Sequence, residues 1–397
     1  MFRPILSFLL AFLFLGFQSQ SQQNAVLLMD AKKLTSLKKT IKTDKKTQEL
    51  FKTLIAESDK YLEVKPPTVM DKAFTPESGS KHDYMSQAPY FWYDSTKANG
   101  LPYIRKDGER NPEILKITDR KNIGDLEKMA TALSVTYFLT GNEKYANKAA
   151  KLLSVWFLEE ATKMNPNLDY AQAIPGVNSG RGIGIIETIA LTGIADASSL
   201  LQGSKAWTND NQKSLKDWYG KYLNWMLTSK NGIEEQKAEN NHGTFYDMQV
   251  VYFALFTGKK DIALKTLKGS KERLEIQIDN EGKMPLELER TQSLWYSTYN
   301  LEGWVKLAKL ADKAGVDLWN YTNKKQGTII KALDWLAPFA LNKKPWPYQQ
   351  IEEYKKENIF ILFKEAARKF NNSKYSSFAE QLNIKLKDPV AALIYSN

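Results

Sequence analysis

The stretch LEKMATALSVTYFLTGNEKYANKAAKLLSVWFL, Leu126–Leu158, holds two apolar segments on either side of a short polar stop. Apolar residues recur at three- and four-residue spacing on both sides of Thr140-Gly141-Asn142, which is typical of amphipathic helices. Glycine is a common helix C-cap because it adopts the left-handed backbone conformation at no steric cost. Two helices joined by such a stop form an αα-hairpin, so this stretch predicts one.

The same pattern returns twice along the chain, whereas strand signals are scarce. A Thr-Gly or Ala-Gly stop separates residues 248–256 from 261–274 and, more loosely, residues 301–311 from 328–341. Hairpins that cannot bury their apolar faces singly stack on one another, either in an open solenoid or in a closed α/α toroid. The periodicity therefore predicts an all-α protein and leaves these two architectures open.

The N-terminus has the pattern of a secretory signal peptide. Residues 1–22 carry one positive charge at Arg3, an apolar run over residues 5–17 and small polar residues suited to a signal peptidase. The run is shorter than the roughly 20 residues that span a bilayer; an uncleaved anchor is the alternative. No proline-, glycine- or serine-rich linker follows, so we predict a single catalytic domain over residues 23–397, periplasmic or secreted, without a membrane anchor.

Composition limits the chemistry of the site. The chain has no cysteine, and its two histidines, His82 and His242, are too few for a histidine-rich zinc site. We therefore predict no metal and no cofactor, although a carboxylate calcium site stays open. The net charge of +11 favours a polyanionic partner. No nucleic-acid-binding motif is present, so we expect an acidic polysaccharide as the partner, bound by a monomer.

Long breaks between the helical segments are the candidate binding regions. Residues 74–112 are helix-poor, and loops of this length are usually functional or disordered. Their aromatic density argues against disorder. His82, Tyr84 and Trp92 lie in this loop, and Arg181 lies in a second break, IPGVNSGRGIG. Each has a plain structural alternative, as a surface, core or helix-start residue.

The segment AENNHG, residues 238–243, places a scarce histidine between asparagine and glycine. Both neighbours are poor helix formers, so we predict a turn before a helix that starts near Thr244. In a cleft, His242 would titrate near neutral pH beside the amides of Asn240 and Asn241. Alternatively, Asn241 caps the helix and His242 is a surface residue.

A second cluster lies in MPLELERTQSLWYSTYN, residues 284–300. Arg290 and Tyr296 are six residues apart, which on one continuous helix places them about 120° apart. Side chains of this length can still converge on a ligand, but the spacing does not demand it. A core tyrosine with its hydroxyl in water is the alternative.

Asparagine, histidine, arginine and tyrosine together suit the β-elimination of a 1,4-linked uronic acid polymer. The reaction needs the uronate carboxylate neutralised, a base for the C5 proton and an acid for the departing O4. Arginine binds carboxylates through bidentate charge-assisted hydrogen bonds, and amide donors stabilise developing negative charge. A free tyrosine has a pKa of about 10, so it needs a cationic neighbour such as Arg290 to act as a base.

Three stretches carry a family resemblance over residues 83–311. NNHG followed by Phe245 and Tyr246 resembles the Asn-Asn-His segment of the alginate lyases of polysaccharide lyase family 5 and of the broader alginate lyase superfamily, which includes the glucuronan lyases of family 38. MPLELERTQSLWYS resembles their P-x-E-x-x-R segment, which ends in the catalytic tyrosine. SKHDYMSQAPYFWYD with GLPYIRKDGERNPE resembles their N-terminal substrate-binding block.

The resemblance implies an α/α toroid, an incomplete barrel of helical hairpins with a cleft across its bowl. It also implies that Arg290 and Asn241, alone or with Asn240, bind the uronate carboxylate and that His242 is the base or neutralises the carboxylate. Tyr296 is then the proton donor, and a role as base as well stays open. The residues that we expect to bind substrate besides these are Asn240, His82, Tyr84, Arg181, Trp92 and Tyr299.

Two departures from family 5 affect the expected specificity. Its arginine and tyrosine are one residue further apart, and its tyrosine lies between histidines where this chain has Trp295 and Ser297. Tyr299 is therefore an alternative to Tyr296 as the proton donor. The wider superfamily or the glucuronan lyases fit better than family 5, so mannuronate, guluronate and glucuronate all stay open as substrates.

Two other functions compete with a lyase. An α/α toroid can host a glycoside hydrolase, which needs two carboxylates, here drawn from Asp83, Glu287 and Glu289. A non-catalytic polysaccharide-binding protein of the cell envelope is the second alternative. Only the lyase forms a product with a conjugated double bond.

Overall fold

A computed structural model describes residues 26–395, so the predicted signal peptide lies outside the described residues. Helices dominate the described part of the chain, as predicted. In chain order they are α1 (Ala31–Thr43), α2 (Lys45–Glu63), α3 (Asp119–Thr140), α4 (Glu143–Phe157), α5 (Ala190–Leu200), α6 (Asn209–Thr228), α7 (Lys230–Gln236), α8 (Asn241–Phe256), α9 (Lys260–Gln277), α10 (Pro285–Leu288), α11 (Ser293–Ala314), α12 (Ile329–Ala340), α13 (Glu357–Phe370), α14 (Ser373–Leu382) and α15 (Pro389–Tyr395).

The strands are short and belong to the breaks between helices. β1 (Met85–Gln87) pairs in parallel with β4 (Tyr170–Ala173). β2 (Phe91–Trp92) pairs antiparallel with β3 (Ile104–Arg105), and residues 91–105 are called the rim hairpin below. These strands lie where a helix-poor loop was predicted, and they leave the all-α class intact.

The predicted helical hairpins are confirmed, together with the glycines that end their first helices. Gly141 has φ 70° and caps the C-terminus of α3, and the side chain of Asn142 accepts from the backbone N–H of Lys144 to start α4. Gly315 has φ 83° and ends α11 in the same way. Glycine reaches this left-handed region without a Cβ clash, so the stop residues could be identified from sequence.

The helices form the α/α toroid that the resemblance implied. α3 packs on α5, α5 on α8, and α8 on α11, while α4 packs on α3 and α9 on α8 from outside. α8 is buried on nearly all sides, as expected for an inner helix. The segment Gly182–Leu200 is apolar enough by length and composition to cross a membrane, but 72% of it is buried within the fold, as a core segment would be.

A buried carboxylate joins the first described residues to the inner helices. Asp196 on α5 is fully buried and accepts the backbone N–H groups of Leu27, Leu28 and Met29 at 2.7–2.9 Å. It also accepts the hydroxyl of Tyr252 at 2.7 Å. Burial raises the pKa of Asp196, against the effect of these donors. The hydrogen bonds involve both its oxygens, so the bent segment before α1 is tied to the centre of the fold.

A second buried polar contact fixes the start of α3. Lys72 and Asp119 have completely buried side chains, and Lys72 Nζ lies 2.9 Å from Asp119 Oδ2. Lys72 also donates to the carbonyls of Val69 and Lys81 at 2.5 and 2.7 Å. Asp119 Oδ2 accepts the backbone N–H of Met85, the first residue of β1, at 2.9 Å. The pair therefore joins the helix-poor loop to an inner helix.

Candidate active site

A pocket of about 620 Å³ opens where the inner helices begin. The first turns of α3, α8 and α11 and the 3₁₀ helix Gly182–Ile189 all contribute to its wall. Helix N-termini present unpaired N–H groups and the positive end of the helix dipole, so this end of the toroid favours an anion. The pocket brings together these residues predicted from sequence: Asn240, Asn241, His242, Arg290, Tyr296, Tyr299 and Arg181.

The AENNHG segment folds differently from the predicted turn. α8 begins at Asn241, three residues before Thr244, and Asn240 is its cap, because the Asn240 side chain accepts from the backbone N–H of His242 at 3.1 Å. The capping role proposed for Asn241 thus belongs to Asn240. The consequence is that Asn241 and His242 occupy the first turn of a buried helix and face the pocket.

His242 is oriented by a buried carboxylate. Its Nδ1 lies 2.7 Å from Oε1 of Glu235, which is 1% exposed and belongs to the neighbouring helix α7. With Nδ1–H donating to Glu235, Nε2 is the nitrogen that is available to a ligand, since hydrogen bonding at one ring nitrogen fixes the role of the other.

Asn241 is held by Glu287, and its side-chain carbonyl oxygen Oδ1 is left unpaired among the described residues. The Asn241 backbone N–H and Nδ2 donate to the two oxygens of Glu287 at 2.7 and 2.8 Å, and both residues are buried. Burial raises the pKa of Glu287, and the hydrogen bonds from Asn241 oppose this. Asn241 Oδ1 is buried without a hydrogen-bond partner in the described structure. The side chain therefore offers the pocket an acceptor, and Nδ2 has a second hydrogen besides the one that Glu287 accepts, so the carboxylate contact implied by the resemblance stays a prediction.

Arg290 is not on the same helix as Tyr296, contrary to the continuous helix that we considered. α10 ends at Leu288 and α11 starts at Ser293, and Asp107 binds the intervening residues. Arg290 Nε and Nη2 donate to the two oxygens of Asp107 at 3.1 and 2.7 Å. Burial acts to raise the pKa of Asp107, but the hydrogen bonds and charge of Arg290 hold it at about 2.

The guanidinium of Arg290 covers the ring of Tyr296, with 3.7 Å between Cζ and the ring centroid. Tyr296 is 6% exposed, and its hydroxyl lies 3.0 Å from that of Tyr90. Burial raises the pKa of Tyr296, Arg290 lowers it, and Tyr90 adds to the increase. The net increase means that the phenol keeps its proton at neutral pH in the free protein, as a proton donor requires.

Arginines from several elements give the pocket its charge. They are Arg105, Arg110, Arg120, Arg181 and Arg290, and no aspartate or glutamate lines the pocket in residues 26–395. Arg181 is fixed by two hydrogen bonds to Gln172, at 3.2 Å to its carbonyl and 2.8 Å to its side chain. Arg120 Nη1 lies 3.4 Å from Glu187 Oε1, an ion pair rather than a hydrogen bond.

Three residues predicted to bind substrate lie outside the pocket lining. Tyr84 is fully buried, and its hydroxyl donates to Glu187 at 2.9 Å. Glu187 belongs to the 3₁₀ helix that lines the pocket, so Tyr84 helps to position this helix. His82 Nδ1 lies 2.7 Å from the carbonyl of Lys163. Trp92 donates to the carbonyl of Glu109 at 3.0 Å. Trp92 is paired with Ile104 across the rim hairpin, so these two side chains lie on the same face. Phe91, the residue before Trp92, lines the pocket from the other face.

The carboxylates proposed for a glycoside hydrolase do not meet in this pocket. Asp83 accepts from Ser78, Asn165 and Asn167, and Glu287 is bound to Asn241. Glu289 is exposed, and none of the three lines the pocket. A hydrolytic pair needs both carboxyl groups at the scissile bond, so the described pocket does not supply one.

Glu235 and Asp107 were missed by the sequence reasoning. Each acts on a predicted site residue from a different element, Glu235 from α7 and Asp107 from the loop after β3. Neither lies at a helical spacing that would have paired it with His242 or Arg290. A contact that bridges separate elements leaves no periodic signal in the sequence.

Replacing Glu235 by glutamine should reduce turnover without weakening the fold. The amide of the substituted side chain can still accept one hydrogen bond, but it lacks the charge that keeps Nδ1 of His242 as the donor. We expect kcat to fall by about 10–100-fold, the range found when an outer hydrogen-bond partner of a metal-ligating histidine is removed. Initial rates and the thermal midpoint measure the two effects separately.

Glu234→Gln is the matched control, because Glu234 is the exposed neighbour of Glu235. It should keep the wild-type rate. If Glu235→Gln retains more than half of the wild-type kcat, Glu235 does not orient a working histidine.

Comparisons with known proteins agree with the geometry. The alginate lyase family model matches residues 68–346. A crystal structure of an alginate lyase from Bacteroides ovatus has 41% sequence identity and a TM-score of 0.89, over 93% of this chain and 98% of that one. No curated protein matches the chain.

More distant structures share the fold alone. A variant of alginate lyase A1-III in complex with a tetrasaccharide has 16% identity and a TM-score of 0.59, over 94% of this chain and 95% of that one. Alginate lyase A1-III from Sphingomonas species A1 has 15% identity and a TM-score of 0.56, over 94% and 96% of the two chains. The toroid is therefore similar across large sequence distances.

Proposed function

The chain belongs to the alginate lyase family, and on that premise we propose that this polysaccharide lyase cleaves a 1,4-linked polyuronate by β-elimination and leaves a 4,5-unsaturated uronate end. The candidate substrates are alginate, including its polymannuronate blocks, and glucuronan. The observation that carries the proposal is the pocket in which a protonated Tyr296, the guanidinium of Arg290 and the imidazole of His242 meet without a facing carboxylate.

Neutralisation of the uronate carboxylate is assigned to the arginines. Arg290 gives two of its donors to Asp107 and keeps Nη1, while Arg120 also lines the pocket and has its Nη1 3.4 Å from Oε1 of Glu187. These fixed cations stabilise the negative charge that develops on the carboxylate as C5 loses its proton. The attraction is stronger in a pocket that excludes water than in bulk water. The acceptor of Asn241 is left for a sugar hydroxyl.

The proton transfers are assigned to Tyr296 and His242. Tyr296 gives a proton to O4 as the C4–O4 bond breaks, a base accepts the C5 proton, and the electron pair of the C5–H bond becomes C4=C5. In mannuronate and glucuronate the C5 hydrogen and O4 lie on the same side of the ring, so one phenol serves both atoms once substrate binding has released its own proton to solvent: the phenolate beside Arg290 accepts the C5 proton and returns it to O4. In guluronate they lie on opposite sides, so a second group is needed, and Nε2 of His242 is the group available.

Relatives support a polyuronate substrate. The Bacteroides ovatus protein is described as an alginate lyase, and the A1-III variant binds a tetrasaccharide. The excess of lysine and arginine over acidic residues, 56 against 45, suits a polyanion. Residues 1–22 further support export, so we place the reaction in the periplasm or outside the cell.

Separate incubation with polymannuronate, polyguluronate and glucuronan tests the proposal. At least one polymer should give a rise in ultraviolet absorbance, because the new C4=C5 bond is conjugated with the carboxylate. New reducing ends without absorbance would indicate a hydrolase instead, and polymer binding without any product would indicate a non-catalytic protein. Cleavage of polymannuronate and glucuronan but not of polyguluronate would mean that both proton transfers take place on one side of the sugar ring.

A further inference from the structure

The rim hairpin has two faces, and only one of them belongs to the pocket. Phe91 is opposite Arg105, and both line the pocket. Trp92 is opposite Ile104, and directly opposed residues on antiparallel strands share a face, while successive residues alternate. Trp92 and Ile104 therefore lie on the outer face, away from the pocket.

The outer face is apolar and yet partly open to solvent. Ile104 is 43% exposed. Trp92 is partly exposed as well. Apolar side chains scattered singly over a surface need no explanation, whereas a contiguous group with a polar edge marks an interaction site.

The indole of Trp92 is held in place. Its Nε1 donates to the carbonyl of Glu109 at 3.0 Å, so the polar edge of the ring is satisfied within the protein. Lys106 is exposed, and its Nζ lies 5.3 Å from the ring centroid. A fixed aromatic face beside an exposed ammonium group thus stands on the outside of the hairpin.

We propose that Trp92, Ile104 and Lys106 form an outer site that binds a uronate segment of the polymer beyond the catalytic pocket. The C–H face of a sugar ring packs on the indole, and the ammonium of Lys106 pairs with the ring's carboxylate. This chemistry selects an acidic sugar over a neutral one or an apolar peptide. The inference rests on the proposed polyuronate substrate.

Charge around the outer site supports this occupant. Arg105 and Arg110 line the pocket and not the outer face, and Asp107 is paired with Arg290 and with Arg105, so Lys106 is the cation of the outer site. A positive charge therefore remains on the rim. Because the outer site and the pocket share one short hairpin, a long polymer can reach both, while a short oligosaccharide in the pocket cannot. Binding at two points raises the apparent affinity for the polymer alone.

The test compares polymer with tetrasaccharide made from the same polymer. Trp92→Ala and Lys106→Gln should each raise KM for the polymer about five- to tenfold, a modest part of the gain that linked sites give. The rate on tetrasaccharide should change less than about twofold. Lys97→Gln, at the exposed tip of the same hairpin, and Phe74→Ala, an exposed aromatic outside it, are the matched controls.

Polymer binding without turnover gives the second readout. In a Tyr296→Phe background, electrophoresis through a gel that contains polymer should show retardation, which Trp92→Ala weakens and Lys97→Gln does not. An unchanged polymer KM in both outer-site variants would overturn the outer site. So would an equal loss on polymer and tetrasaccharide, because the hairpin would then only support the pocket.

Failure of the proposed function looks different from failure of the outer site. A wild-type protein that gives no unsaturated product from any polyuronate contradicts the lyase assignment. Retardation by the polymer that depends on Trp92 and Lys106 would still support the outer site. Retardation that is equal in all variants would overturn the outer site, whatever the wild-type protein does to the polymer.

Discussion

Tyr296→Phe abolishes turnover while polymer still binds: this is the largest effect that we expect. The substitution removes only the hydroxyl that lies 3.0 Å from Tyr90 and leaves the ring under Arg290. Positioned proton transfer contributes about 10²–10⁴ to the rate, and the phenol serves at least the O4 transfer. Ultraviolet initial rates measure the loss, and retardation in a polymer gel measures binding.

Tyr299→Phe discriminates between the two candidate phenols. Tyr299 also lines the pocket and stacks on Trp295 with 4.8 Å between ring centroids. If Tyr299→Phe is the inactive variant and Tyr296→Phe keeps more than about a tenth of the rate, the donor is Tyr299. His242→Ala should also be severe, and most severe on a substrate that needs a second proton-transfer group.

Lys72→Met should cause the largest loss of stability. Methionine fills a similar space but leaves the Asp119 carboxylate buried without its cation and removes the donor to the carbonyls of Val69 and Lys81. Breaking a buried ion pair by removing one partner costs about 3–5 kcal/mol. For a chain of this size that corresponds to a decrease of about 5 °C in the thermal midpoint, which calorimetry can measure.

The loss in Lys72→Met should be smaller at pH 5 than at pH 8. Burial already raises the pKa of Asp119 to about 6, with Lys72 opposing the increase, and the substitution removes that opposition. A carboxyl whose folded-state pKa lies above its unfolded value of about 3.9 binds protons preferentially in the folded state, so stability falls as pH rises. At low pH the protonated group carries no charge to bury.

Lys65→Met is the control for the loss of a cation. Lys65 lies 3.9 Å from Asp71 and has an 86% exposed side chain, and exposed pairs contribute about 0–1 kcal/mol. Its thermal midpoint should be close to that of the wild type. If Lys72→Met has the same thermal midpoint as Lys65→Met, the Lys72–Asp119 pair does not stabilise the fold.

The fold was predictable because its signals are local. The helix stops at Gly141 and Gly315 coincide with positive φ, and apolar periodicity showed which segments bury a face. A sequence reader needs only neighbouring residues to find such features. The toroid, as opposed to an open solenoid, came from the family resemblance and not from periodicity.

The candidate site was predictable in its residue types but not in its hydrogen bonds. His242, Arg290 and Tyr296 do share one pocket, yet Asp107 reaches Arg290 across 183 positions in the chain. Because of that contact, Arg290 is not a free arginine that waits for the substrate carboxylate. Its guanidinium is shared between Asp107 and the ring of Tyr296. Such long-range pairs have no spacing rule.

The aromatic loop shows a different limit of sequence reasoning. Its density of tyrosine and tryptophan correctly indicated an ordered segment, but composition does not specify the side on which a ring lies. Tyr84 packs behind the pocket wall, and Trp92 lies outside the pocket. Strand register decides these directions, and the two-residue strands are too short for an alternating pattern to be recognised.

The carboxylate of Asp196 sets a practical boundary for making this protein. A gene fragment trimmed to the family-matched residues 68–346 would remove Leu27, Leu28 and Met29 and leave that carboxylate with Tyr252 as its remaining donor. Expression plasmids should therefore keep the residues before α1 that donate to Asp196.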